Sequence, residues 1–183
     1  MEISIKKIFS LYKKYAVPEH IIKHMAKVAE YSLNLCEKFE KKGIKIDKNS
    51  VVEAALLHDV LRPCDFREFP PSAPKEWKEL RKLYRKKGHE KAMSEILNKM
   101  GLKKIANLVL KHDFFKIEEL KTWEEKILYY ADKRVEKDGI VELKERFKKG
   151  RERNFSPTDD MKKIKEVEKK ILKLEKEINS TLR

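Results

Sequence analysis

Cysteine is scarce in this sequence of 183 residues, which contains only Cys36 and Cys64 and no CxxC pair. Neither a disulfide framework nor a zinc site built on cysteine is therefore indicated, and we expect both cysteines to behave as ordinary small hydrophobic residues. Glutamine is absent altogether, while lysine and glutamate are abundant. This bias is typical of thermophilic proteins, which carry many charged surface residues and few thermolabile amides.

Long apolar runs are also missing from the sequence. No stretch approaches the roughly 20 apolar residues that a membrane span requires, and the N-terminal segment lacks the unbroken apolar region of a secretory signal. We therefore expect a soluble, cytoplasmic protein without a membrane partner. The chain is long enough for one domain with its own hydrophobic core.

Glycine and proline are few, at five and six residues, and no run of β-branched residues alternates with a period of two over a length that would build a sheet. The sequence therefore predicts an all-α fold. We expect a single compact helical domain over residues 1–155 and an additional C-terminal helix within residues 156–183. The predicted helices span approximately residues 3–15, 18–42, 48–61, 75–100 with a break near Gly88, 102–112, 122–148 and 157–181.

Several residues that favour helix ends support these boundaries. Gly43 and Gly101 follow apolar periodic segments, where a residue that readily adopts positive φ can end a helix. Thr122 and Glu125 have the spacing of a capping box at the start of a helix. The segment FPPSAP, residues 69–74, is predicted to be a surface loop because its prolines lack backbone donors.

The C-terminal helix is predicted to start near Ser156 and Pro157, which resemble an N-cap residue followed by proline at the first helical position. It carries apolar residues at alternating spacings of three and four: Met161, Ile164, Val167, Ile171, Leu174 and Ile178. Such a narrow stripe either docks on the domain or pairs with a second copy of the chain as a short coiled coil, which would make a homo-oligomer.

The charge of the sequence is strongly positive, with 45 basic and 31 acidic residues and a net charge of +14. Such a surface attracts either small phosphorylated ligands or nucleic acid. The segment 75–91 is particularly basic and includes Trp77 and Tyr84. Together with the FPPSAP loop it has three interpretations: a positively charged lid, a nucleic-acid groove with stacking aromatic residues, or a solvated helix whose aromatic side chains pack inward.

A histidine and an aspartate interrupt the most apolar predicted helix. Residues 51–61, VVEAALLHDVL, are apolar on nearly all sides apart from a few positions that include His58 and Asp59, so this helix should run through the centre of the domain. An ionised carboxylate there must be paired or bound to a cation, because burying an uncompensated charge costs several kcal/mol. The dipeptide alone is a weak signal, since a second one occurs at His112 and Asp113.

Four further polar residues lie on the apolar faces of predicted helices: His24, His89, His112 and Asp132. A single inward histidine is most often a hydrogen-bonded core residue. Four histidines and two aspartates together are not ordinarily buried in a helical domain of this size. A shared divalent transition metal would satisfy all of them, because neutral imidazole nitrogen and ionised carboxylate oxygen are ligands for Mn, Fe, Co, Ni and Zn.

The order of these residues resembles that of the HD-domain superfamily of metal-dependent phosphohydrolases. The resemblance runs from about residue 18 to residue 150 and depends on three local patterns: HMAKVAEYS with His24, AALLHDV with His58 and Asp59, and LYYADKRV with Asp132. It implies an all-helical domain in which these four residues hold a divalent metal ion.

The resemblance also implies that His89 and His112 hold a second ion, as in the branch of the superfamily with two-metal sites, which includes nucleotide and dinucleotide polyphosphate hydrolases. Asp59 would then bridge both ions. The sequence departs from some members of the superfamily at Val60 and Leu61, which follow the His-Asp pair. The class of substrate is therefore open, and so is the number of ions, one or two per chain.

The activity implied by the resemblance is hydrolysis of a phosphate ester or anhydride in a small nucleotide-like substrate. A metal lowers the pKa of its bound water, which attacks as a metal-bound hydroxide, and acts as a Lewis acid towards the phosphoryl group. Besides Asp59, the candidate catalytic residues are Arg62, whose planar fork suits a phosphate, and Lys133, which follows Asp132. Arg62 could instead form a salt bridge with Asp59 or Asp65. Lys133 could instead be a solvated surface charge.

Three nearby residues each have a functional and a structural interpretation. Arg134 could attract an anionic substrate or be solvated. His20 could chelate together with His24, four residues later, or be exposed. Asp113 could orient His112 or occupy a helix end.

Two other functions are compatible with the sequence. The chain could be a basic nucleic-acid-binding protein whose metal site is structural or vestigial and whose 75–91 surface binds the nucleic acid. It could also be an assembly module that forms oligomers through its C-terminal helix.

Overall fold

The computed structural model describes residues 2–154 and 160–183, without the side chains of residues 153 and 154. In this part of the chain the predicted all-α fold is confirmed, since the structure is helical apart from connecting segments and one small hairpin. No helix among these residues combines the length and the apolar character needed to cross a bilayer. In chain order the elements are α1 (Ile5–Lys14), α2 (Glu19–Lys41), α3 (Lys48–Ala55), a first 3-10 helix (Arg62–Asp65), α4 (Lys75–Tyr84), α5 (His89–Lys99), α6 (Lys103–Lys111), a second 3-10 helix (Phe114–Glu119), α7 (Trp123–Arg134), β1 (Val135–Glu136), β2 (Gly139–Ile140), α8 (Leu143–Asn154) and α9 (Met161–Leu182).

Several helix ends lie where the sequence predicts them. Gly43 and Gly101 adopt φ angles of 77° and 80°, the left-handed backbone conformation that ends a helix. Thr122 and Glu125 form the predicted capping box before α7. In it, each side chain accepts a hydrogen bond from the backbone N–H of the other residue.

The helix predicted for residues 48–61 is wrong at its C-terminal end, because α3 stops at Ala55 and residues 56–61 form hydrogen-bonded turns. In a continuing α-helix the carbonyl of Ala55 would accept a hydrogen bond from the backbone N–H of Asp59. It accepts one from Nδ1 of His58 instead, at 2.7 Å. A side-chain donor thus replaces the backbone donor where the helix ends.

The single helix predicted for residues 122–148 is also wrong. Helix α7 ends at Arg134, and β1 and β2 pair antiparallel as a short hairpin before α8 begins. The turn between the strands consists of Lys137 and Asp138, and Lys137 adopts a positive φ of 57°, a conformation that two-residue hairpin turns require. The apolar spacing continues across this turn, which is why periodicity alone predicted an unbroken helix.

The centre of the core is formed by α2, α3, α6 and α7, and α5 packs on α6. Fully buried side chains on these helices include Phe39, Val51, Val109 and Tyr129. The segments that carry the site residues predicted from the sequence therefore run through this core or end at it.

Helix α4 packs on the first 3-10 helix. Trp77 is 8% exposed, and its indole N–H donates to the carbonyl of Ala16 at 2.8 Å. Of the three interpretations of segment 75–91, inward packing therefore holds for this tryptophan. The basic residues near the end of the segment are exposed: Lys82, Arg85, Lys86 and Lys87.

Helix α9 packs against α7, α2 and the second 3-10 helix of the same chain. Its N-cap is Asp160, whose carboxylate accepts hydrogen bonds from the N–H groups of Lys162 and Lys163. The cap expected at Ser156 and Pro157 lies outside the described residues. Five members of the apolar stripe are buried: Ile164, Val167, Ile171, Leu174 and Ile178. The stripe is therefore covered by the chain itself.

Because the side chain of Ile171 is fully buried where α9 meets the core, Ile171→Ala should lower the free energy of unfolding by about 2–5 kcal/mol. Ile5 is 55% exposed on α1, so Ile5→Ala removes the same atoms at a cost of about 0.5 kcal/mol. Denaturant unfolding followed by circular dichroism measures both values. Equal losses for the two variants would contradict the docking of α9.

Candidate metal centre

Six polar side chains that the sequence singles out meet in the helical core. They are His24 in α2, His58 and Asp59 in the turns after α3, His89 at the first position of α5, His112 directly after α6, and Asp132 in α7. The four histidines and Asp132 are buried, and the side chain of Asp59 is 13% exposed. The structure therefore brings the whole predicted set together, and the binding of metal by these residues stays a prediction.

The first half-site contains His24, His58, Asp59 and Asp132. Oδ1 of Asp132 lies 3.0 Å from Nε2 of His24 and 3.5 Å from Nε2 of His58. Oδ2 of Asp59 lies 3.8 Å from Nε2 of His58. Ligand atoms that each lie about 2.0–2.2 Å from one ion are roughly 3–4 Å from one another, so these separations suit a shared cation.

The second half-site contains Asp59, His89 and His112. Oδ1 of Asp59 lies 2.9 Å from Nε2 of His89 and 3.7 Å from Nε2 of His112. The two oxygens of Asp59 thus face different imidazoles, Oδ2 towards the first half-site and Oδ1 towards the second. A carboxylate in this position can bridge two ions.

Backbone carbonyls orient two of the imidazole rings. Nδ1 of His58 lies 2.7 Å from the carbonyl of Ala55, and Nδ1 of His112 lies 2.5 Å from that of Val109. Because a carbonyl oxygen only accepts, both Nδ1 atoms carry the hydrogen, and each Nε2 has a lone pair when its ring is neutral. Within the described residues, Nε2 of His58 is buried and has no hydrogen-bond partner. An unused lone pair that points into a buried cluster of acidic groups fits a metal ligand.

The two carboxylates of the site are ionised. Burial raises the pKa of Asp59, but the charge of His58 and the neighbouring imidazole of His89 outweigh it and hold the pKa well below its usual value. Burial also raises the pKa of Asp132, and the charge of Lys133 together with the imidazoles of His24 and His58 reverses the effect in the same way. The ionised carboxylate is the form that binds metal ions, so both side chains are in the form that can hold a cation.

The two imidazoles of the second half-site differ in protonation. Burial lowers the pKa of His112 below its usual value. In His89 burial acts in the same direction, but the charge of Glu90 and hydrogen bonds to Asp59 and Asp65 raise the pKa to about 9. A cation that binds Nε2 of His89 must therefore displace a proton.

Two cations predicted to be catalytic lie inside the site. Lys133 is 8% exposed, and its Nζ donates to Oδ2 of Asp132 at 2.7 Å and to the carbonyl of His112 at 2.8 Å. It is therefore not a solvated surface charge. Nη1 of Arg62 lies 3.4 Å from Nε2 of His89, so the guanidinium reaches the second half-site.

Three neighbouring residues lie outside the two half-sites. Arg134 forms an ion pair with Glu175 of α9 at 2.9 Å. Asp113 accepts a hydrogen bond from the N–H of Phe115 at 2.7 Å and so caps the second 3-10 helix. His20 is exposed and belongs to neither half-site.

Asp65 is a residue of the site that sequence reasoning missed. Its Oδ2 lies 2.6 Å from Nδ1 of His89. Sequence reasoning considered Asp65 only as a partner of Arg62. No periodic pattern relates an aspartate in a short 3-10 helix to a histidine 24 positions later, so only the folded chain reveals the contact.

Comparison with known families adds an independent finding. A family model described as HD domain matches residues 21–135, which is more than half of the chain. The matched range includes all six side chains of the two half-sites. Searches among curated proteins and among solved structures found no significant match.

The two His-Asp pairs of the chain allow a matched test of the centre. Asp59 lies between the half-sites, whereas Asp113 caps a helix. Mn²⁺ at about 100 times its Kd should raise the free energy of unfolding of the wild type by about 2.7 kcal/mol. Asp59→Asn should abolish most of this gain, because it removes the charge shared by both half-sites. Asp113→Asn should keep it.

Thermal unfolding with and without Mn²⁺ measures this gain for all three proteins. An equal gain in both variants would show that Asp59 does not take part in metal binding.

Proposed function

Because this chain belongs to the HD-domain family, whose members are metal-dependent phosphohydrolases, we propose that it hydrolyses a phosphate ester or anhydride of a small nucleotide-like substrate. The observation that carries the proposal is the position of Asp59, whose two carboxylate oxygens face separate groups of imidazole nitrogens. Such a carboxylate suits the paired divalent ions of two-metal phosphoryl-transfer sites.

The donor atoms of both half-sites are imidazole nitrogens and carboxylate oxygens, which suit Mn, Fe, Co, Ni or Zn. In the proposed assignment the first ion is held by His24, His58, Asp59 and Asp132, and the second by Asp59, His89 and His112. When bound, the ions supply Lewis acidity towards the phosphoryl oxygens and a nucleophile at neutral pH. The residues around them orient the ligands and bind the phosphate.

Arg62 is the proposed phosphate-binding residue. Its guanidinium lies beside Nε2 of His89, and nearby carboxylates, Asp59 first among them, keep its pKa raised against the effect of burial. The guanidinium is therefore charged. A planar fork of N–H donors matches two oxygens of a phosphoryl group, so Arg62 can both bind the substrate and stabilise the charge that develops on it.

Lys133 is proposed to act on the protein rather than on the substrate. Its ammonium holds Oδ2 of Asp132, which leaves Oδ1 directed at His24 and His58. The same ammonium binds the backbone of His112, which belongs to the second half-site. Lys133 thereby fixes the position of one half-site relative to the other.

The surface near His89 supports a phosphorylated substrate. Four exposed cations precede this histidine along the chain: Lys82, Arg85, Lys86 and Lys87. Lys87 forms an ion pair with Glu95, and the group as a whole raises the local concentration of anions. Trp77 is buried and Tyr84 is partly buried against the core, which limits base stacking on this segment and favours a small phosphate ester or anhydride over single-stranded nucleic acid as the ligand.

Release of phosphate or of a nucleoside monophosphate from a panel of nucleotides, with Mn²⁺, Co²⁺ or Fe²⁺, tests the function. Asp59→Asn should lower kcat/KM by about 10³-fold, because two-metal chemistry contributes roughly several kcal/mol to transition-state stabilisation. Asp113→Asn should retain activity. Absence of metal-dependent turnover by a wild-type protein that demonstrably binds metal would refute the proposal.

Arg62→Ala should lower kcat/KM by about 10²-fold, the typical cost of removing one preorganised donor to a transition-state oxyanion. Arg62→Lys should recover only part of the loss, because an ammonium keeps the charge but lacks the planar pair of N–H donors of the guanidinium. Arg85→Ala is the control, since Arg85 is exposed and acts only through long-range attraction, which salt screens. Steady-state kinetics at moderate ionic strength measures all three. A wild-type value of kcat/KM in the Arg62→Ala variant would show that Arg62 does not bind the phosphoryl group.

A further inference from the structure

The geometry points to Asp65 as the positioning residue of the second half-site: its carboxylate holds the imidazole of His89 so that Nε2 faces Asp59 and the second ion. Oδ2 of Asp65 lies 2.6 Å from Nδ1 of His89, and Nε2 of the same ring lies 2.9 Å from Oδ1 of Asp59. This inference rests on the proposed function in one respect, since it takes His89 as a ligand of the second ion.

The position of His89 in the fold explains why it needs an acceptor from elsewhere. His58 and His112 follow the C-terminal ends of α3 and α6, where the last carbonyls of a helix have no intrahelical partner. Each ring donates its Nδ1–H to such a carbonyl three residues earlier. His89 is the first residue of α5, and a helix N-terminus presents N–H donors rather than carbonyl acceptors.

Asp65 supplies the hydrogen-bond acceptor that the N-terminus of α5 lacks. The N-cap position is Gly88, which makes no side-chain capping bond. Oδ2 of Asp65 accepts from the backbone N–H of His89 at 3.1 Å as well as from its ring. One oxygen therefore fixes both the start of the helix and the rotation of the side chain that the helix presents to the site. A negative charge at this end is also favoured by the helix dipole.

The carboxylate of Asp65 is itself held in place. Its other oxygen, Oδ1, accepts a hydrogen bond from the thiol of the buried Cys64 at 3.2 Å. Glu90 competes for the same ring nitrogen, but its Oε2 lies farther away, at 3.2 Å. Asp65 is thus the better placed acceptor. A charged acceptor makes the ring a stronger ligand than a carbonyl does.

Calorimetric titration of metal-free protein with Mn²⁺ alone tests the inference. His112→Ala identifies which binding step belongs to the second half-site, because the possible ligand group that contains His112 is the one with Asp59 and His89. Asp65→Ala and Asp65→Asn should weaken this step by about 10- to 100-fold, the usual effect of removing a partner behind a metal ligand. Asp65→Asn should lose less, because its amide oxygen still accepts from the backbone N–H.

Asp160→Ala is the matched control. It removes an aspartate that caps α9 by accepting from two N–H groups, so it should lower stability without changing either binding step. This comparison separates the positioning of His89 from the loss of a helix cap.

Wild-type Mn²⁺ affinities in the Asp65 variants would overturn the inference, and so would equal weakening of both steps. Failure of both variants to fold would assign Asp65 a purely structural role and overturn it too. It is equally overturned if the wild type binds a single Mn²⁺ that His112→Ala leaves unchanged. If the expected binding pattern appears but no phosphate compound is hydrolysed, the proposed function fails and the role of Asp65 stands.

Discussion

Ionised carboxylates inside an apolar helical core must be compensated, and the arrangement of the centre follows from that constraint. An uncompensated charge at such a position would cost more free energy than a domain of this size can spare. Asp132 is compensated by the ammonium of Lys133 and by two imidazoles. Asp59 is compensated by imidazoles and by the nearby Arg62.

The ends of helices, rather than their middles, supply most of the site. His58 and His112 lie just past helix C-termini, and His89 lies at a helix N-terminus. At these positions backbone groups are free to bind side chains, so each ring can be held through Nδ1 while Nε2 remains available. Only His24 and Asp132 project from within helices. The end of helix α3 at Ala55 therefore helps to form the site.

The sequence was sufficient for the fold class and for the set of side chains that meet. Apolar spacing placed His24, His89 and Asp132 on inward faces, and the order of the motifs matched a family. The sequence did not predict the helix end where an interaction between side chain and backbone overrides periodicity. This happens at His58, whose ring binds the carbonyl at which α3 ends. The sequence also did not predict the role of Asp65, since its contact with His89 joins a 3-10 helix to a residue 24 positions away.

The sequence separation of the ligands has a consequence for folding. His24 and Asp132, which are in contact, are 108 positions apart in the chain. Both cysteines are free and buried, so no covalent bond closes this long loop. A cation shared by these two residues would act as a reversible crosslink and would stabilise the folded chain by its binding free energy, because the site does not exist in the unfolded chain. Catalytic competence and resistance to unfolding would then respond together to the supply of metal.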